Sequence, residues 1–326
     1  MKLNSISLTG ALLLASALAA PLPAAELGMV APDLKISQWV KGKPVALKDG
    51  KGKNIYVIEF WATWCPPCRT SIPHLSQLQK KFAAKDVVLI GITDEEVGKV
   101  KPFVAKMAGE MDYTVAIDQD KQTSENYMGA FKQNGIPHAF IVDKTGAVIW
   151  HGHPMDQLEE TLEKIVAGKF DLATAKKLDA IKQQEAAAQE KISEVFESYF
   201  TAASKGEKGP EHDKQGEEIL KLAADQPPVL AQFASIMLKH PQIKTRDLPL
   251  ALRAAKAAYD GNKSDEARAT VADIYARALR DSGKKDEAIK LQKEAIAHAK
   301  DAKAKQAFEK TLREYEGKAD DKKADK

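Results

Sequence analysis

Cysteine is scarce in this chain of 326 residues: there are two, Cys65 and Cys68, three positions apart. Structural disulfides in exported proteins generally close longer loops, because the entropy removed from the unfolded chain grows with loop size. A bridge across two intervening residues staples almost nothing. A structural zinc site needs more ligands at matching spacing, and none accompanies the pair. An excess of one charge is also lacking. Forty-nine basic and 46 acidic residues leave a formal charge of +3, and no basic stripe with stacking aromatics points to a nucleic-acid partner. Beyond the first residues, no stretch reaches the ~20 apolar residues of a membrane span. Finally, strand signals are missing after about Phe170. The two cysteines are therefore better explained by chemistry than by stability.

What is present begins with an export signal. Lys2 gives a positive start, residues 8–20 are an apolar run, and small residues continue to Ala25. That is the layout of a secretory signal peptide over 1–25, with cleavage between positions 19 and 26. An uncleaved membrane anchor is the alternative, and the run is short for it. The expectation is a soluble mature chain outside the cytoplasm, in a bacterium the periplasm.

Residues 26–169 alternate strand-like and helix-like segments. Residues 54–60 read as a buried strand running straight into Cys65-Pro66-Pro67-Cys68, whose prolines fit only near a helix start. Ile72, Leu75, Leu78 and Phe82 follow at helical spacing. Further strands are expected at 86–92, 113–117, 138–142 and 147–150, the last two joined by a turn at 143–146. Helices fit at 95–108, 123–131 and 155–167. Tight hairpins together with helical crossovers imply an α/β domain with a mixed sheet flanked by helices.

From 170 onward the sequence is rich in Ala, Lys, Glu and Leu at three- and four-residue spacing. Residues 170–203 read as a connecting helix, 204–316 as a helical repeat-like domain, and 317–326 as a disordered tail. Residues 269–295 resemble a tetratricopeptide repeat, with Tyr275, Ala276 and Leu279 on one helix, Gly283 at the turn, and Ala288 and Ala295 on the next. Ala251 and Ala258 occupy the small-residue positions of a preceding helix. Alanine at such positions lets helices cross closely. An irregular helical bundle is the competing reading.

A dithiol at a strand-to-helix junction is a redox device. The first cysteine sits at the helix amino end, where free N–H groups and the dipole stabilise a thiolate, which makes Cys65 the nucleophile. Cys68, one turn in, can resolve a mixed disulfide. Trp64 shields one side and is expected to contact substrate, and Arg69 adds positive charge.

The segment 57–69, Val-Ile-Glu-Phe-Trp-Ala-Thr-Trp-Cys-Pro-Pro-Cys-Arg, resembles the active-site segment of the thioredoxin superfamily, especially its exported TlpA-like thiol-disulfide oxidoreductases. The resemblance continues through Pro73 and through Asn134-Gly-Ile-Pro-His-Ala-Phe-Ile-Val-Asp143, and covers roughly 28–168. It implies an α/β thioredoxin-like domain followed by an all-α, tetratricopeptide-like helical domain. It also implies that Pro137 is a cis-proline facing the dithiol, so that Ile136 offers its backbone groups to an extended substrate. A trans-proline opening a strand is the alternative. Glu59 matches the buried acid that moves a proton on or off Cys68. The competing reading puts it on a solvated strand face. One departure is Ser71, where many TlpA-like reductases carry an acid. This weakens assignment to the narrower role of reducing apocytochrome c.

The histidines carry less. His138, next to Pro137, is expected at the dithiol mouth, contacting substrate or modulating the thiolate. Partial exposure without function is the alternative. His151-Gly-His153 superficially suggests a metal, but no acid or thiol partner lies at useful spacing, so no metal or cofactor is expected. The expected partners are protein thiols or disulfides and a redox partner that resets the dithiol. A membrane-bound electron donor would make the protein a reductase. The helical half suggests a protein or peptide ligand. A binding protein built on that half and a peroxidase are the competing functions. The peroxidase lacks the threonine expected three residues before the cysteine: position 62 is alanine, and Thr63 lies two before Cys65.

Overall fold

The computed structural model describes residues 25–318. The expected signal peptide lies outside the described residues except for Ala25, and so does the expected tail beyond Lys318. The described residues form two compact units that divide between Ile181 and Lys182.

The first unit is built on β2 (Ile55–Phe60), all six residues of which are buried. It pairs in parallel with β3 (Val87–Thr93) and antiparallel with β5 (His138–Val142). Outside these lie β4 (Thr114–Asp118), parallel to β3, and β6 (Val148–Gly152), antiparallel to β5. A first strand, β1 (Ile36–Lys41), closes the edge antiparallel to β4, giving the order β1-β4-β3-β2-β5-β6. This is a thioredoxin-like mixed sheet.

Period two along β2 divides the core. Ile55 and Val57 face a layer with Leu75 and Leu78 of α1 (Pro66–Phe82) and Leu158 and Leu162 of α4 (Leu158–Val166). Tyr56, Ile58 and Phe60 face the opposite layer, with Tyr127, Phe131 and Phe140. Covered on both faces, β2 has no room for the solvated alternation weighed for Glu59.

Two elements differ from the sequence reading. The edge strand β1 was not expected, because its residues are mostly half-buried and its register slips twice against β4. Where a helix was expected at 123–131, one turn, α3 (Gln122–Ser124), widens into a π-turn at Glu125–Gly129. The wider turn goes with burial of Tyr127, whose hydroxyl donates to the Pro32 carbonyl at 2.8 Å. The remaining helix of this sheet, α2 (Val97–Lys106), follows β3.

After α4 the long helix α5 (Leu172–Lys205) begins in the first unit, where Leu172 and Ala175 pack against the sheet layers. The second unit is all-α. It contains the rest of α5 and α6 (Pro210–Leu222), α7 (Pro227–Lys239), α8 (Leu248–Gly261), α9 (Arg268–Asp281), α10 (Lys285–His298) and α11 (Ala302–Glu316). Ala276 of α9 and Ala288 and Ala295 of α10 are fully buried, which permits close crossing. Asp273, buried in α9, is neutralised by Arg277 at 3.0 Å and Lys239 at 3.2 Å. No helix among the described residues is long and apolar enough to cross a membrane.

Candidate active site at the Cys65–Cys68 pair

Strand β2 ends at Phe60 and delivers the chain through Trp61-Ala62-Thr63-Trp64 to the start of α1. Cys65 is the N-cap of that helix, and Pro66 and Pro67 fill the first positions, where an amide donor has no carbonyl to bond. The next free amide, that of Cys68, donates to Cys65 Sγ at 3.2 Å. The two sulfurs are joined in a disulfide. Both cysteines are buried, while Trp64 beside them is 66% exposed.

The Ile136–Pro137 peptide bond is cis. The Ile136 carbonyl oxygen lies 3.8 Å from Cys65 Sγ. The sulfur carries no proton in the disulfide, so this is a contact and not a hydrogen bond. Pro137 is buried and Ile136 half-exposed, so the segment before β5 runs beside Cys65 with part of Ile136 open to solvent.

Glu59 is fully buried, and neither carboxylate oxygen has a hydrogen-bond partner. Period two places it on the β2 face that looks toward α1 and the cysteines. Burial alone pushes its pKa up to about 8. Its parallel partner on β3 is Gly91. A Cβ at Gly91 would lie 2.9 Å from the Tyr113 ring and 3.2 Å from Trp61 Nε1. Glycine there leaves room for a polar cluster, since Trp61 Nε1 and the Tyr113 hydroxyl are also buried without a partner. The Tyr113 hydroxyl is held well above its ordinary pKa by burial and by the Glu59 carboxylate. Gly91, Trp61 and Tyr113 were not singled out from the sequence. Only the acid in an apolar strand gave a signal.

The loop before Cys65 is braced by a residue the sequence reading also missed. Glu95 accepts from Thr63 N at 2.5 Å and from Thr63 Oγ1 at 2.8 Å. Arg69 Nε donates to the Thr63 carbonyl at 2.8 Å, and its guanidinium lies 5.7 Å from the Phe103 ring centroid. Ser71, where an acid was looked for, is buried and donates to the Cys68 carbonyl at 2.9 Å.

His138 does not face the dithiol mouth, contrary to expectation. It is 9% exposed, and its ring packs on Phe140 in the layer of the sheet opposite the cysteines. The physical reason is alternation: Pro137 lies toward the pair, so the next side chain points to the other face. Its Nε2 lies 3.0 Å from His151 Nδ1, and His151 Nε2 lies 2.9 Å from Asp179 Oδ1. Burial, with His151 and His153 nearby, lowers the His138 pKa to about 3. His153 Nδ1 accepts from Met155 N. Among the described residues no group of histidine, cysteine and carboxylate side chains is arranged to hold a metal ion.

Residues 27–151 match the model of the AhpC/TSA family. The chain is 35% identical over 144 residues to thiol-disulfide oxidoreductase ResA of Bacillus thuringiensis subsp. konkukian (strain 97-27), covering 43% of this chain and 79% of that protein. It is 28% identical over 153 residues to protein FixW of Rhizobium leguminosarum, covering 44% and 68%. A crystal structure of a thiol:disulfide interchange protein of the thioredoxin family from Chlorobium tepidum TLS is 29% identical. That match covers 40% of this chain and 86% of the other, with a TM-score of 0.33.

Proposed function

Because the chain belongs to the thioredoxin-like thiol-disulfide oxidoreductases of the ResA type, we propose that it reduces disulfides in protein substrates through Cys65 and Cys68. The 3.2 Å hydrogen bond from the Cys68 amide to Cys65 Sγ carries this reading. When the bridge is opened, the same donor and the helix amino end stabilise a thiolate on Cys65.

That thiolate attacks one sulfur of a substrate disulfide. The substrate S–S bond breaks, a mixed disulfide forms, and the second substrate sulfur leaves as a thiolate. Cys68 then gives its proton to Glu59 and attacks Cys65 Sγ. The mixed disulfide breaks, and the substrate is released with two more electrons than it brought. The Cys65–Cys68 disulfide remains. An external dithiol partner must return two electrons and is itself oxidised to a disulfide, and Glu59 hands its proton back to Cys68, which restores the Cys65 thiolate and the Cys68 thiol. A carboxyl whose pKa lies near 8 is matched to moving the Cys68 proton near neutral pH. The Ile136 backbone, turned by cis-Pro137, and the exposed Trp64 ring receive the substrate segment. His138, facing the other layer, supports that edge and does not touch substrate.

The test is trapping. Cys68→Ser, reduced and mixed with insulin, accumulates one mixed disulfide at Cys65, while Cys65→Ser accumulates none. Turnover of insulin by Cys65→Ser overturns the proposal. A peroxidase is the second reading, prompted by the AhpC/TSA match. Ala62 stands where its threonine belongs, and the Thr63 hydroxyl is engaged by Glu95, not by Cys65. Peroxide consumption by the reduced protein, lost in Cys65→Ser, would favour that reading.

The broader setting follows from the sequence. We place the chain in the exported TlpA-like branch, working in the periplasm with a membrane-bound donor as its reductant. The tetratricopeptide-like second unit recruits a protein or peptide partner. Its cleft of about 440 Å³, lined by Pro228, Ala231, Ile236, Val271 and Ile274, supports that role.

A further inference from the structure

The disulfide chemistry does not use His151 or Asp179, yet the first unit buries both: their side chains are 8% and 13% exposed. Asp179 lies on α5, 28 residues beyond His151 on β6. His151 in turn touches His138, which directly follows Pro137 in sequence. Three polar side chains from three elements thus form one unbroken series that ends next to the cis-proline.

One end of the series has a fixed direction. An ionised carboxylate only accepts, so His151 Nε2 carries the proton donated to Asp179. His151 Nδ1 then shares a single proton with His138 Nε2 across 3.0 Å. Asp179 thus orients the His151 ring, and through that shared bond the His138 ring. The rings are also held in place sideways. Phe140 stacks on His151 with centroids 5.6 Å apart at 24°, and Phe131 sits 4.9 Å away. The other titratable groups on this side include His153, just after β6, Tyr127, which donates to the Pro32 carbonyl and feels the Asp33 charge, and Tyr56, whose hydroxyl accepts from Asn54 at 3.2 Å. Two buried imidazoles are a poor way merely to anchor a helix, since an apolar side chain would do so without desolvating polar atoms. What the series adds is orientation, and it adds it at the residue after Pro137.

We propose that Asp179 and His151 are positioning residues for the exchange reaction: they lock His138, and through it the Ile136–Pro137 backbone edge that receives substrate beside Cys65. This rests on the proposed disulfide-exchange reading. A locked edge is preorganised, so a protein substrate docks without first ordering it. A small disulfide, which reaches only the sulfur, gains nothing from the edge. Loss of the lock should raise KM for protein disulfides and spare the intrinsic reactivity of Cys65.

The experiment compares the full chain with Asp179→Asn and His151→Phe. The first is nearly isosteric but no longer imposes a tautomer. The second keeps a ring in the aromatic stack and removes both hydrogen bonds. Insulin reduction with dithiothreitol gives KM and kcat, and reaction of the prereduced protein with 5,5′-dithiobis(2-nitrobenzoate) gives the small-disulfide rate. We expect KM for insulin to rise at least about fivefold in each variant, kcat and the small-disulfide rate to stay near wild type, and the double variant to be no worse than the worse single one. Wild-type KM in a folded Asp179→Asn protein overturns the proposal and leaves the series as a helix anchor. An equal loss with both substrates also overturns it, because the damage then lies at the dithiol. If the wild type reduces neither substrate, the exchange reading itself fails, which is a separate result. Should His151→Phe not fold, Asp179→Asn still decides.

Discussion

Replacing Glu59 with glutamine should stabilise the first unit and impair its chemistry, and the size of the stabilisation follows from burial. The folded chain holds this carboxyl at a pKa of about 8 against an ordinary 4.5, with desolvation as the cause. Between those values the folded state binds one proton that the unfolded chain has released. Stability therefore falls with rising pH through the window, by about 1.4 kcal/mol per pH unit. Glutamine has the same shape, is equally buried and does not titrate. The variant should match wild type near pH 4, exceed it by about 3 kcal/mol at pH 7, and level off above pH 8. Denaturant unfolding followed by tryptophan fluorescence is a clean assay, because all four tryptophans, Trp39, Trp61, Trp64 and Trp150, lie in the first unit. The same variant should slow release of the mixed disulfide by roughly a hundredfold, a loss of the size that removing a general base brings. A stability difference that is independent of pH, or a destabilised Glu59→Gln protein at pH 7, would refute the reasoning.

Two further outcomes follow from neighbouring geometry. With Glu59→Gln as background, the acid limb comes from His138, whose pKa is lowered from 6.5 to about 3, together with the Glu159 and Asp171 carboxyls, which are also held low. The unfolded chain binds the extra proton at His138, so this residue should add a rise in stability with pH of about 1.4 kcal/mol per unit from pH 3 to 6.5, read as the slope lost when His138→Gln is added in the same unfolding assay. Gly91→Ala would drive a methyl group against the Tyr113 ring and Trp61 Nε1. It should destabilise the first unit by about 1–3 kcal/mol, seen as a lower denaturant midpoint, because two rings buried at the sheet cannot yield.

Much of the first unit could be read from the chain, and its particular residues show why. Strands β2, β3 and β5 are continuous apolar runs because helices cover both faces of the sheet, and that pattern survives in one dimension. The cysteines, their prolines and the Gly-Ile-Pro segment were readable because each is a rare local arrangement. Strand β1 was not, since an edge strand with slipped register has no clean alternation. The surroundings of Glu59 were hidden for another reason. Gly91 and Tyr113 matter only through sheet register, which sequence spacing does not reveal. His151 was weighed only for metal binding with nearby partners. Its acid came instead from Asp179 on the next long helix, a tertiary pairing without a local signature. His138 was misjudged by one residue of strand alternation, which is enough to move a side chain to the opposite face.

The most direct test is a redox titration of the wild-type chain in dithiothreitol or glutathione buffers, followed by tryptophan fluorescence and by thiol counting. The account predicts one reversible two-electron transition, absent in Cys65→Ser, with a midpoint near the about −270 mV of thioredoxin. A midpoint near about −120 mV would contradict the reducing direction, and the lack of any reversible transition would contradict the central claim that this pair is a working redox centre.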